Sequence, residues 1–317
     1  MIVRNTTTVK KYLTINSSVT FETLSPYLAQ AERKSIKPLI GTAQYTLFNI
    51  ESAPTDANVK EAWELAQEAI CYFAMYRALP TMAVQITEAG IFSASNADVQ
   101  QANDKQYKEL LRSFKKQAHE TLDEMLKVME KYPDKFGAWT ADDSYKKYTS
   151  LLVNSTAIFN EHYTIFDSRQ TFMAMLPEIS IVESQFIKAP IQEALLTALK
   201  TKQTDAERIK VKTLVQKAIV SFTISKVVEN GLFVLDAQGI HVRFDVLPYE
   251  KVNSNVNLKI NDFLVHTKKN KISEGEQFLK LALEIIVDNP TKFEEYIAPT
   301  ETEEKAITYK TPGITLM

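Results

Sequence analysis

Cysteine, long apolar runs and leader features are scarce or missing in this chain of 317 residues. Cys71 is its single cysteine, so no intramolecular disulfide can form, and its apolar neighbours favour a small buried residue over a reactive thiol. No stretch reaches the roughly 18 apolar residues of a membrane helix. The first residues lack the apolar core and cleavage site of a secretory signal. We therefore expect a protein that folds in a cytoplasm and does not contact a membrane.

A strong charge imbalance is also missing. The chain has 37 Lys and Arg residues against 39 Asp and Glu residues, a formal charge of −2. A protein that coats nucleic acid needs an excess of cations to neutralise phosphates, so this class is not favoured. A short basic run at 268–271 is typical of a solvated helix start. With 45% apolar and 24% charged residues, the composition is that of ordinary globular domains.

Motifs of catalysis and of cofactor binding are absent from the sequence. It contains no GxGxxG, P-loop, GxSxG, CxxC or HExxH pattern, and its four histidines do not lie at metal-ligand spacings. We therefore predict no catalytic residue, no cofactor and no metal site. One catalytic alternative remains, in which a site between two parts of the chain uses His162, Tyr163 and Glu183. That alternative requires these three side chains to cluster in a deep pocket.

What the chain does contain is a repeated segment. Residues 21–40 (FETLSPYLAQAERKSIKPLI) and 172–191 (FMAMLPEISIVESQFIKAPI) align without a gap. Six of the twenty positions are identical, against about one expected from average residue usage. The identical pairs are Phe21/Phe172, Pro26/Pro177, Glu32/Glu183, Ile36/Ile187, Lys37/Lys188 and Ile40/Ile191.

Two further blocks repeat in the same order. Residues 68–91 match 217–240, and residues 120–136 match 276–293, where Pro-x-Lys-Phe closes both blocks. Copies of this length can each bury a core. We predict a mainly α fold of two tandem copies of a small helical-bundle domain, each with a short β-hairpin or loop. The predicted units are residues 1–150, residues 151–297 and an extended C-terminal tail at 298–317.

Local patterns place the elements within each copy. Apolar residues at helical spacing follow Asp56 and Asp205, which we predict as N-caps. Apolar residues that flank a glycine predict a hairpin near Gly90 and another near Gly239. The remaining long elements expected are a helix at 97–132, an extended stretch at 245–262 and a helix at about 272–288.

Two prolines and one glycine in the first copy predict where helices begin, break or turn. Pro26 is predicted in a first helical turn, where its missing N–H costs nothing. Pro38 predicts a kink or a break near Lys37. Gly41 predicts a turn or a close helix contact, although Gln192 takes its place in the second copy.

Residues that project from such a fold are the candidates for protein contacts. We expect the Gly-Ile loop of each copy and the apolar tip of the tail to reach a neighbour. An apolar tip can add a strand to a sheet edge or fill a groove on another protein, although a frayed terminus would look the same. The candidate interface residues are Gly90, Ile91, Phe92, Gly239, Ile240, Ile314, Leu316 and Met317.

The repeated unit also resembles a known family. It begins with the pattern F-x-x-L-x-P-x-L-x-x-A-E-x-x-x-I-x-P-x-I-G from Phe21 to Gly41, and its last helix closes on Tyr132-Pro133 and Trp139. This unit resembles the helical head–tail connector (adaptor) proteins of tailed bacteriophages, in the double-length form of phages and prophages of Bacteroides-type hosts. It is similar to the neck ring proteins of crAss-like phages. The resemblance covers about residues 1–297.

The resemblance implies a structural protein of the virion neck, assembled in the host cytoplasm. It implies a ring of about twelve copies that extends the DNA channel. The portal protein would lie above the ring and tail or further neck proteins below it, and genomic DNA would pass through without sequence-specific contact. The alternative is a cytoplasmic helical protein-binding or scaffolding module that recognises one partner and forms no ring.

Overall fold

The structure, a computed structural model, describes residues 1–16, 18–87, 90–93, 103–228, 233–235, 240–242 and 257–298. These residues are mainly helical, which confirms the predicted fold class. We refer to residues 1–150 as the first half. It contains α1 (Thr6–Tyr12), α2 (Phe21–Ala31), α3 (Lys37–Phe48), α4 (Ala57–Met82), β1 (Val84–Thr87), β2 (Gly90–Ser93), α5 (Asp104–Lys131), α6 (Gly137–Thr140) and α7 (Asp143–Thr149).

Residues 151–298, the second half, repeat much of this order. The elements are α8 (Thr156–His162), α9 (Arg169–Val182), α10 (Lys188–Ile191), α11 (Glu193–Lys200), α12 (Ala206–Val227), β3 (Phe233–Leu235), β4 (Ile240–Val242) and α13 (Asn257–Asp288). In each half a short 3₁₀ turn follows the last long helix, at Pro133–Lys135 and Pro290–Lys292. Common descent of the two halves stays a prediction from the sequence.

Each half has its own cluster of buried apolar side chains. In the first half, α4 packs against α2 and α5; in the second half, α12 packs against α9 and α13. The rings of Phe48 and Phe136 meet edge to face at 6.3 Å in one cluster, and those of Phe159 and Phe172 do so at 6.3 Å in the other. Burying one such side chain contributes about 1.5–3 kcal/mol, so the clusters are the main source of stability.

The helix starts follow from capping. Asp56 Oδ1 accepts hydrogen bonds from two backbone N–H groups in the first turn of α4, at 3.0 and 3.2 Å. Asp205 Oδ1 does the same for α12, at 3.0 and 3.1 Å. Both predicted N-caps are therefore confirmed, and each satisfies donors that have no partner within the helix.

The predicted position of Pro26 is wrong. Thr20 Oγ1 accepts a hydrogen bond from Thr23 N, so α2 already begins at Phe21 and Pro26 lies inside it. Pro177 lies inside α9 in the same way. A proline inside a helix removes one backbone hydrogen bond, so the packing of these helices has to offset that loss.

A π-helical turn follows each of these helices, at Glu32–Ile36 and at Glu183–Ile187. The break that Pro38 predicted near Lys37 is therefore wrong in position, because the chain continues as a helix through Lys37. The break lies at Gly41, with φ 76° and ψ 163°. Gln192 has nearly the same backbone angles, φ 65° and ψ 148°.

Two antiparallel hairpins follow α4 and α12. In the first, Gln85 pairs with Phe92 and Thr87 with Gly90; in the second, Phe233 pairs with Val242. Each described hairpin has two strands.

The long helices differ from their predicted bounds. The first begins at Asp104 because the side chains of Asn103 and Gln106 form a reciprocal cap. The second begins at Asn257, within the stretch predicted to be extended. The prediction of an extended stretch is therefore wrong for residues 257–262; neither proline nor glycine occurs between Asn257 and Gly275 to interrupt a helix.

Gly41 should not tolerate a side chain. Replacing Gly41 with alanine is expected to lower the free energy of unfolding by about 1–3 kcal/mol, because the backbone has a positive φ and a Cβ would lie 2.5 Å from Asp142 Oδ2. Gly137→Ala is the matched control, since its Cβ would meet no atom within 4 Å. Urea denaturation measures both. Equal stability of the two variants would contradict the role assigned to Gly41.

Candidate functional site

A buried carboxylate holds the first residues of the first half. Glu32 is only 2% exposed. Its Oε1 accepts hydrogen bonds from Ile2 N at 2.7 Å and Val3 N at 3.3 Å, and its Oε2 accepts one from Tyr45 Oη at 2.6 Å. Gln67 Nε2 donates to Ile2 O at 3.3 Å. The side chains of Glu32 and Gln67 thus satisfy both backbone polar groups of Ile2, and we call this arrangement the first clamp.

The second half contains the same arrangement. Glu183 Oε2 accepts from Leu152 N at 2.7 Å, and Gln216 Nε2 donates to Leu152 O at 3.1 Å. Lys200 Nζ lies 2.5 Å from Glu183 Oε1, where the first clamp has a tyrosine hydroxyl. This second clamp fixes a buried segment that lacks regular secondary structure.

Both clamps use their carboxylates as hydrogen-bond acceptors within the core. Burial raises the pKa of Tyr45, and its hydrogen bond to Glu32 raises it further, so the phenol stays protonated and donates. Buried polar groups of this kind are stable when each has its partners. The clamps are therefore suited to holding the chain in place.

Sequence reasoning singled out Glu32 and Glu183 as a matched pair but missed their amide partners. Gln67 and Gln216 are buried polar residues on helices whose neighbouring positions are apolar. They occupy equivalent positions, immediately before the second repeated block. A polar residue at the same place in the apolar helices of both halves was the signal that could have revealed them.

The two halves meet at a polar joint between α5 and the start of α9. Asp123 accepts hydrogen bonds from Ser168 Oγ at 2.7 Å and from Gln170 N at 2.9 Å, and so caps α9 from another helix. His119 Nδ1 lies 2.6 Å from Gln170 Oε1, and Gln170 Nε2 donates to His119 O at 2.7 Å. These contacts fix the start of α9 against α5.

Ion pairs extend the joint. Arg169 Nε lies 2.9 Å from Glu130 Oε2, with both side chains largely buried, and Arg169 Nη1 lies 3.0 Å from Asp167 Oδ1. Lys127 Nζ reaches Asp167 Oδ2 at 2.6 Å. The turn before α9 has positive φ at Phe166 and Asp167, 56° and 52°. The joint therefore holds a strained turn in place.

Burial is the largest cause of the pKa shifts of Asp123, Glu130 and His119 in the joint. It raises the pKa of Asp123 and of Glu130, although hydrogen bonds and the Arg169 charge act in the opposite direction. Burial also lowers the pKa of His119 to about 4, and the nearby Lys115 adds to this effect. His119 is therefore neutral near pH 7.

The predicted interface residues are not gathered into one site. Gly90, Ile91 and Phe92 lie on β2. Ile240 is fully buried in the second core, and its N–H donates to Thr164 O at 3.2 Å. It therefore packs within its own chain instead of projecting from it. The others, Gly239, Ile314, Leu316 and Met317, lie outside the described residues.

The residues of the catalytic alternative lie apart from the described pockets. Glu183 belongs to the second clamp, and Lys271 Nζ lies 5.0 Å from the centre of the Tyr163 ring. Burial lowers the pKa of His162. A small cavity at the joint is lined by Leu126, Glu130, Trp139, Thr156, Arg169, Phe172 and Met173, and an open pocket by Arg208, Thr291, Lys292, Glu294 and Glu295.

Exposed apolar side chains are concentrated in the second half. Among the described residues, nine large apolar side chains are exposed, and seven of them follow residue 150. Four lie on α13. Leu281 and Val287 lie within the predicted helix, whereas Phe263 and Val265 were missed because the start of the helix was predicted too late. The seven are Phe166, Ile209, Phe263, Val265, Leu281, Val287 and Ile297.

The described residues define a mainly helical protein with two similarly built halves and a polar joint. Within the described part of the chain, no helix has the length and apolar character to cross a membrane, and no cluster of three or more His, Cys, Asp or Glu side chains could hold a metal ion. The profile of a family of unknown function (DUF6712) matches residues 36–149. No curated protein matches the sequence, and no solved structure does either.

The stability of the first clamp should depend on the carboxylate oxygens of Glu32, which accept its hydrogen bonds. Glu32→Leu, which has similar size but accepts no hydrogen bond, is expected to lower the free energy of unfolding by about 3–5 kcal/mol, because Ile2 N, Val3 N and Tyr45 Oη lose their partner. Glu32→Gln keeps an acceptor and should cost about 1–2 kcal/mol. Urea denaturation compares the two variants. Equal losses would show that hydrogen bonding at Glu32 does not stabilise the fold.

His119 should make the joint sensitive to acid. Its pKa is about 4 in the folded chain, against 6.5 when unperturbed, so the unfolded state binds more protons between these values and stability falls as pH decreases. The stability lost between pH 7 and pH 4 should be larger in the wild type than in His119→Gln, by on the order of 2–3 kcal/mol. Asp123 and Glu130 titrate in both proteins, so their effects cancel in this difference. Parallel stability profiles of the two proteins across this pH range would contradict the assignment.

Proposed function

We propose that this protein is a structural ring subunit of a tailed bacteriophage, a head–tail connector of the virion neck. In this proposal the ring joins the portal to tail or neck proteins and extends the DNA channel. The resemblance of the repeated unit to connector proteins is the starting point. The geometry of the described residues adds support, and no enzymatic activity is part of the proposal.

The observation that carries the proposal is the matched pair of clamps. Glu32 with Gln67 and Glu183 with Gln216 hold equivalent segments in the two halves. The joint at Asp123 then fixes one half against the other. A subunit of a ring needs two different surfaces that contact neighbours head to tail. Two similarly built halves, fixed relative to each other, can present such a pair of surfaces.

The exposed side of α13 is the surface that we expect to contact a neighbouring copy. Leu281 and Val287 are 47% and 54% exposed, whereas their neighbours on the same helix, Ala282 and Ile286, are buried in the core. Single exposed apolar residues are common, but their concentration on one helix favours an interface. The near-neutral charge of −2 also suits a channel wall along which DNA slides.

The same surface supports a second candidate. A helical scaffolding module that binds one protein would also bury the apolar residues of α13. In that case the chain would form a one-to-one complex and no ring. The two candidates therefore differ in stoichiometry, which can be measured directly.

The test is assembly with a portal protein from the same phage genome. We expect native mass spectrometry and electron microscopy to show a ring of about twelve copies bound to the portal. Leu281→Lys combined with Val287→Lys should weaken assembly at least about tenfold, because a desolvated apolar contact is lost. Leu110→Lys, a similarly exposed site in the first half, is the matched control. A wild-type chain that stays monomeric with the portal would contradict the proposal.

A further inference from the structure

The end of the second half is held by polar contacts that the equivalent part of the first half does not form, since α6 of the first half packs Trp139 into the core instead. Both halves share one contact: Lys135 Nζ lies 2.7 Å from Asp56 Oδ2, and Lys292 Nζ lies 3.3 Å from Asp205 Oδ2. Lys292 also pairs with Glu207. This shared ion pair holds the 3₁₀ turn of each half against the start of α4 or α12.

Arg208 adds an anchor that the first half lacks. Its Nη1 donates to Lys292 O at 2.7 Å, and its Nη1 and Nη2 donate to the two carboxylate oxygens of Glu295 at 3.1 and 2.8 Å. This two-pronged geometry is the strong form of an arginine–carboxylate pair. The aligned residues in the first half are Val59 and Ala138, which cannot form such a pair.

Gln192 adds a second anchor. Its Nε2 donates to Ile297 O at 2.6 Å, and its Oε1 accepts from Ile297 N at 3.0 Å. One amide side chain thus binds both backbone polar groups of a residue 105 positions away, as one rung of a β-ladder would. The aligned residue in the first half is Gly41, which has no side chain to offer.

The backbone at Gln192 makes this contact informative. A φ of 65° with ψ 148° is unfavourable for any residue with a Cβ, and glycine occupies the same conformation at Gly41. A glutamine at such a position opposes its own backbone preference. The two hydrogen bonds to Ile297 require the glutamine side chain, and a glycine at this position could not form them.

We propose that Gln192 and Arg208 form a binding site for residues 292–297 of the same chain. We call this binding site the C-terminal fixture. The amide of Gln192 binds the backbone N–H and C=O of one residue, Ile297, and the guanidinium of Arg208 binds one carboxylate, that of Glu295. The function of the fixture is to fix the point and direction from which the chain continues beyond Ile297. The side chain of Ile297, 76% exposed, is presented outward. In a ring, which rests on the proposed function, the fixture would place Ile297 of every copy at the same radius.

Hydrogen exchange at the Ile297 amide tests the fixture in the isolated chain. In the wild type we expect this amide to exchange at least about tenfold more slowly than in a peptide of residues 289–303, because its hydrogen is bonded. Gln192→Gly removes the acceptor and at the same time relieves the positive φ. The variant should therefore lose the protection at Ile297 while its melting temperature stays the same or rises. Unchanged protection in Gln192→Gly would overturn the proposal.

A second variant tests the other anchor. Arg208→Gln should speed tryptic cleavage after Lys292 at least about fivefold, because the 3₁₀ turn loses its contacts to Lys292 O and Glu295. Lys212→Gln, elsewhere on the same helix, is the matched control and should leave this cleavage unchanged. Equal cleavage of Arg208→Gln and the wild type would overturn the part assigned to Arg208.

Assembly with a portal protein then separates the fixture from the proposed function. If wild-type rings form and Gln192→Gly prevents them, the fixture's role in the ring is supported. If both proteins form rings, that role is overturned even when Ile297 has lost its protection. If the wild type forms no ring, the connector proposal fails, and the exchange measurement still decides whether the fixture exists.

Discussion

The fold of each half depends on one buried carboxylate. Glu32 and Glu183 lie inside apolar cores, where an unpaired carboxylate would cost several kcal/mol. They are tolerated because backbone N–H groups and one further donor satisfy them. The segments at Ile2 and Leu152 in turn need the carboxylates, because these segments lie outside helices and sheets and their backbone N–H groups have no partner there. The carboxylate and the segment therefore stabilise each other.

Comparison of the hydrogen-bond donors in the two clamps shows which contacts both clamps share and which differ. Backbone N–H groups and an amide from the central helix are present in both halves. The additional donor differs: Tyr45 aligns with Leu196, whereas Lys200 lies one helical turn further along. Different positions on the helix can thus supply the last donor. The constant requirement is an acceptor for the buried segment, which explains why a glutamate is found at the same place in both halves.

Sequence patterns predicted the elements whose causes are local. The N-caps at Asp56 and Asp205 and the apolar stripes after them depend on neighbouring residues, so they could be identified in advance. The joint could not, because Asp123 and Arg169 are distant in sequence and each looks like a solvated charge until α5 and α9 meet. Ile240 was predicted to project because a Gly-Ile pair resembles a loop tip. Its burial depends on a tertiary hydrogen bond to Thr164 that no local pattern encodes.

The differences between the halves then indicate a division of roles. The shared contacts, the clamps and the lysine–aspartate pair hold the core together, and they are present in both copies. The contacts found in the second half, those of Arg208 and Gln192, hold the end of the described chain. Among the described residues, most exposed large apolar side chains belong to that half as well. Under the proposed function, these additions suit a second half specialised for contacts outside the core. In the ring that we propose, a subunit with one such half would contact its neighbours asymmetrically, as head-to-tail assembly requires.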